Sequence, residues 1–156
     1  MRVKWKTLLL ALAIPLGVGG LSALVTRREM DAFSQLNQPP LSPPGWLFPI
    51  VWTVLFLLMG LASYLVVTAE APDGVSRRAL TVYGVQLVVN FFWSILFFNL
   101  KWYLFSFFWL LLLWVLILVT MVRFFSIRPA AGWLLFPYLL WVTFAGYLNF
   151  GIFLLN

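Results

Sequence analysis

Residues 102–122 read WYLFSFFWLLLLWVLILVTMV, twenty-one positions without one charged side chain. An α-helix rises about 1.5 Å per residue, so about 20 apolar residues cross a hydrocarbon core roughly 30 Å thick. In that core the backbone finds no water, and a helix satisfies its polar groups within itself. The stretch reads as a transmembrane helix.

Four more runs of this kind surround it: Thr7 to Thr26, Trp46 to Ala69, Ala79 to Leu100 and Trp133 to Leu155. The chain is 64% hydrophobic and 9% charged, against about 45–50% and 25% for a soluble domain. The sequence therefore predicts an all-α integral membrane bundle of five transmembrane helices. Every connection is short except Arg27 to Gly45, so residues 1–156 form a single domain.

Arg2, Lys4 and Lys6 ahead of an apolar run also have the form of a secretory signal. Cleavage after Ala11-Leu12-Ala13 would follow too short an apolar stretch, and Leu21-Ser22-Ala23 places a large residue where a small one is wanted. The first helix is expected to be retained.

With five spans, Arg2, Lys4, Lys6, Arg77, Arg78, Arg123 and Arg128 share one side, and Arg27, Arg28 and Lys101 the other. The positive-inside rule then puts the N-terminus in the cytoplasm and the C-terminus outside; the host membrane, a separate expectation, is a bacterial plasma membrane. All ten cations lie at span ends, so the net charge of +6 reads as membrane orientation and not as a nucleic-acid footprint.

Cysteine and histidine are absent, which removes the commonest metal and haem ligands and leaves no metal site and no required cofactor to expect. The four carboxylates, Glu29, Asp31, Glu70 and Asp73, all fall in predicted loops. An energised transporter normally needs an ionisable group inside the membrane, and acid–base catalysis needs a buried one to tune. Both classes lose ground.

What the spans carry instead is neutral. In the third, Gln86, Asn90 and Ser94 recur every four residues, with Trp93 and Phe97 on or beside the same stripe. The second sets Trp52 one turn from Phe56, with Gly60 and Ser63 further along, and the fifth aligns Trp141, Ala145 and Asn149. Rings with a few amides suit a flat apolar ligand. Ordinary hydrogen bonding between helices accounts for the same pattern equally well.

The first helix holds Pro15 and small-residue spacings at Ala13/Gly17 and Gly19/Ala23, which predict close packing on a neighbour. Pro39, Pro40, Pro43 and Pro44 give the first loop an extended, rigid path that suits a lid. Trp46, Trp102 and Trp133 open their spans as interface anchors. Pro129 fits a first helical turn, and Pro137 should bend the fifth span.

These residues resemble the TspO, or translocator protein, family of tryptophan-rich sensory proteins. The match covers nearly the whole chain: Leu36, Pro39, Pro43-Pro44, Trp52, Met59-Gly60 and Ser63-Tyr64-Leu65-Val66, then Gln86-Leu87, Asn90, Trp93 and Phe97-Phe98, then Leu135-Phe136-Pro137-Tyr138, Trp141, Ala145 and Leu148-Asn149. The resemblance implies a homodimer of five-helix bundles with a ligand cavity beneath the first loop. It implies binding of porphyrins and related tetrapyrroles, including haem, and in many members of sterols or benzodiazepine-type ligands.

By that likeness Trp52 and Phe56, then Asn90, Trp93 and Ser94, then Trp141, Ala145 and Leu148 would form the walls, with Phe33 and Pro43 from the loop. Leu41 stands where the family usually has tryptophan, so the lid should stay apolar. Light-driven porphyrin breakdown, attributed to some members, would fall to Trp52 and Trp141. The aromatic-then-basic sterol pattern near the family's end has no basic residue after Phe150 here. The expected function is a tetrapyrrole receptor with a sensory role. A light-dependent degrading enzyme, a tetrapyrrole transporter and a packed structural partner are the alternatives. Without His or Cys, a porphyrin would be held by its faces and edges, and charge alone points its propionates to Arg27, Arg28 or the loop backbone.

Overall fold

A computed structural model describes residues 2–156. Helix α1 (Trp5–Thr26) runs through a 3-10 turn (Arg27–Glu29) into the short α2 (Met30–Ser34). After the proline segment come α3 (Leu47–Val67), α4 (Asp73–Ser94) with a π-helical end (Ile95–Asn99), α5 (Tyr103–Ile127) and α6 (Pro129–Leu155). Five helices are long and apolar enough to cross a membrane.

Each neighbour contact follows from what its helix offers. α1 lies on α3, α3 on α6, α6 on α5 and α5 on α4, and a lighter α4–α1 contact closes the ring. Between lipid and lipid-like side chains there is no hydrophobic drive to associate, so fit and interhelical hydrogen bonds hold the ring together. Met59, Leu113, Ile117 and Phe124 are fully enclosed at its centre. Trp109 of α5 donates its indole N–H to the Val89 carbonyl of α4 at 2.8 Å, and Trp114 donates to Thr143 Oγ1 of α6 at 2.8 Å.

The close approach of α1 to α3 occurs on part of the expected spacing: Gly19 takes part in it, and the Ala13/Gly17 pair does not. Ala13 and Gly17 are exposed, and a Cβ on Gly17 would meet nothing within 4 Å. The contact uses Gly60 of α3 against the α1 backbone at Ala11 and Leu12, and Gly19 of α1 against the ring of Phe56. The buried face of α1 is set by Ala11 and Pro15.

Other differences lie at the ends. Asp73 is not in a loop: it is the first residue of α4, where a carboxylate favours the positive end of the helix dipole. Asp31 lies within α2 and Glu29 within the 3-10 turn. Trp46 and Trp102 precede α3 and α5 directly and are exposed, as is Trp133 in the first turns of α6. Pro129 opens α6, and the helix continues through Pro137.

Candidate ligand cavity

A cavity of about 270 Å³ lies between α1, α3, α4 and α6 beneath the first loop. Of the residues singled out in the sequence, Phe33, Trp52, Phe56, Asn90, Trp93, Ser94, Phe97, Trp141, Ala145 and Leu148 all line it. The period of α4 explains its share: Asn90, Trp93, Ser94 and Phe97 recur at three and four residues and so share one face.

Pro43 does not line the cavity. Ser42 N–H closes a turn on the Pro39 carbonyl at 3.3 Å, with Leu41 in the left-handed region at φ 70°. That turn presents Ser42, with Gln38, to the cavity and sends Leu41 outward, 84% exposed. The proline path is therefore not simply extended, and the loop's ceiling beyond Phe33 is polar where an apolar lid was expected.

The rings are arranged in stacks and edges. Trp93 stacks on Phe97 with centroids 5.3 Å apart, and Trp52 on Phe56 at 5.7 Å. Phe33 meets Phe97, Phe98 and Phe48 edge-on at 5.7, 5.2 and 6.3 Å, and Phe48 meets Trp141 at 5.9 Å. Phe97 and Phe98 both reach the cavity because the chain is π-helical there, with Leu100 N–H bonded to the Ile95 carbonyl at 3.0 Å. The wider turn inserts a residue into the helical register, a device common at functional sites.

The polar stripe of α4 is largely committed to other helices. Asn90 Nδ2 donates to Tyr138 Oη at 2.6 Å, and Tyr138 donates onward to Gln86 Oε1 at 2.7 Å. Trp93 Nε1 donates to Asn149 Oδ1 at 3.0 Å, and Asn149 Nδ2 to the Tyr103 carbonyl at 2.8 Å. Pocket and interhelical bonding are thus properties of the same residues: the bonds fix the amides, and the rings beside them face the void. The Trp141 indole N–H is buried with no acceptor among the described residues, a state that costs about 1–3 kcal/mol.

The loop is tied to the end of α6. Asn156 Nδ2 donates to the Asn37 carbonyl at 2.9 Å, and Asn37 N–H donates back to Asn156 Oδ1 at 3.2 Å. Tyr147 donates to the Pro40 carbonyl at 2.6 Å, and Pro39 sits against Gly151, which has no side chain to obstruct it.

A family model described as TspO/MBR family matches residues 11–155. The chain belongs to the TspO/MBR family. It is 37% identical to the "Tryptophan-rich protein TspO" of Chlorobaculum tepidum over 96% of each chain. It is 38% identical to the "Tryptophan-rich sensory protein" of Cereibacter sphaeroides over 80% of this chain and 76% of that one. It is 35% identical to the bovine "Translocator protein" over 85% and 79%. Three of the nine tryptophans of this TspO/MBR chain, Trp52, Trp93 and Trp141, converge on the cavity, and these include both candidates for light-driven chemistry.

Several lining residues escaped the sequence reading. Phe48 and Pro49 lie at the start of α3, and Phe98 was matched but not placed at the site. The α1 wall, Gly19, Ser22, Ala23 and Thr26, was also missed. Its three-and-four spacing was visible, but small residues at that spacing also serve helix packing.

Proposed function

We propose that the chain is a membrane receptor for porphyrins and related tetrapyrroles, with a sensory or regulatory role and a homodimeric assembly. The observation that carries this reading is the convergence of Trp52, Trp93 and Trp141 with Phe33, Phe56 and Phe97 on one cavity. Stacked and edge-on rings complement a flat conjugated ligand, and few polar groups suffice to orient it. The unpartnered Trp141 N–H gives an acceptor on such a ligand something to gain. A relative's name, tryptophan-rich sensory protein, favours the sensory role.

The cavity of about 270 Å³ falls just below the roughly 300–1,000 Å³ usual for ligand sites, so a macrocycle occupies it only with an edge in the mouth or the loop displaced. Transport against a gradient is disfavoured because none of the four carboxylates falls within the five charge-free apolar runs.

The test is quenching of tryptophan fluorescence by protoporphyrin, in the dark, beside Ala145→Phe. Ala145 is buried on the cavity wall, and a ring there fills the void. Saturable quenching in the wild type, weakened at least tenfold in the variant, is the expected result. Equal, non-saturating quenching in both would mean partition into detergent and would end the receptor reading.

The orientation that goes with it, N-terminus in the cytoplasm of a bacterial cell, has its own test. Leu41→Cys in the exposed first loop should react with a membrane-impermeant thiol reagent in intact cells, and Gly74→Cys only after permeabilisation. The reverse labelling would invert the protein.

A further inference from the structure

On the receptor reading just given, we infer that the ligand is a carboxylic acid that enters body first and leaves its acid group at Arg27. Among the described residues, Arg27 is the one charged residue that lines the cavity. It stands there because the helical path does not stop where the apolar run stops. Through the 3-10 turn and α2, the stripe of Ala23, Thr26, Arg27, Met30 and Phe33 keeps three-and-four spacing and faces the cavity throughout. Arg28 and Glu29, one and two positions on, fall off that stripe and do not line it. Both arginines looked equivalent by charge; the geometry separates them.

The electrostatics are one-signed. Among the described residues no carboxylate lines the cavity, and the nearest in sequence, Glu29, is turned to Lys101 at 3.7 Å. Arg27 has no ion-pair partner among the described residues. A lone guanidinium at the rim of an apolar chamber favours an anionic edge, offers it two parallel N–H donors, and disfavours a cation. The chamber behind it offers only neutral groups, so a buried carboxylate there would go unpaired. The small volume adds to this: the part of a macrocycle that does not fit remains in the mouth, where the acid-bearing edge gains most.

The experiment compares protoporphyrin with its dimethyl ester, the same macrocycle without acid groups, by dark fluorescence titration in bilayer discs of zwitterionic lipid. The wild type, Arg27→Gln, Arg27→Lys and Arg28→Gln are titrated in parallel. The expected result is about tenfold tighter binding of the acid than the ester in the wild type and in Arg28→Gln. That preference should vanish in Arg27→Gln with ester affinity unchanged, and return in part in Arg27→Lys. Equal binding of acid and ester by the wild type, a preference that survives Arg27→Gln, or one lost equally in Arg28→Gln would overturn the placement while leaving the receptor reading intact. Saturable binding of neither compound would overturn both.

Discussion

Replacing Gly60 with valine is expected to push α1 off α3 and to cost the bundle about 3 kcal/mol, the upper end of what overpacking usually costs. A Cβ at Gly60 would stand 2.8 Å from the Ala11 carbonyl oxygen and 2.8 Å from the Leu12 Cα. Both are backbone atoms of α1, so no rotamer relieves the clash and a helix must move. α1 will be the one, because it is the least enclosed of the five spans. It also carries a whole wall of the cavity, so protoporphyrin affinity should fall with stability. Gly17→Ala is the control: its new Cβ meets nothing, and alanine is the better helix former. Thermal unfolding in detergent, followed by tryptophan fluorescence, measures the first effect and porphyrin titration the second. A Gly60→Val protein with the wild-type midpoint and affinity would refute the account of how α1 is held.

The five spans were legible because lipid imposes one rule on any segment that crosses it, and charge-free length is that rule read in letters. Helix ends were less legible for the same reason. Hydropathy marks where lipid stops, whereas α4 begins at Asp73, with Arg77 and Arg78 inside it, and α5 runs past Arg123 to Ile127. That mismatch also hid the difference between Arg27 and Arg28: the apolar run stops before both, but the helical path continues and carries only Arg27 onto the cavity stripe.

The α4 stripe was visible because amides in a membrane helix have few places to go. Which partners they take depends on residues such as Tyr138, far away in sequence, and periodicity does not reveal them. The π-helical end of α4 changes register without a sequence signal of its own, so Phe98 was not placed beside Phe97. In the loop, four prolines indicated rigidity, but the Pro39–Ser42 turn decided which side chain faces the cavity.

Tyr138→Phe removes one oxygen from a fully enclosed site and is expected to cost about 2 kcal/mol. The hydroxyl serves two helices at once, accepting from Asn90 and donating to Gln86. Its loss leaves both amides of α4 without their α6 partner, and Gln86 keeps only a long contact of 3.9 Å to the Met59 sulfur. Interhelical hydrogen bonds in membranes average about 0.6 kcal/mol each, which sets a floor near 1 kcal/mol for two, and the stranded acceptor Gln86 Oε1 adds to it. The two contributions can be separated. Gln86→Leu in the Tyr138→Phe background removes the stranded acceptor and should recover part of the loss, whereas Gln86→Leu alone should destabilise by leaving the Tyr138 hydroxyl with one bond in place of two. A cycle of the four proteins with no coupling would mean that the amide pair finds equal partners elsewhere. The stripe would then be bonding incidental to the bundle, and the fixed Asn90 on the cavity wall would lose its physical basis.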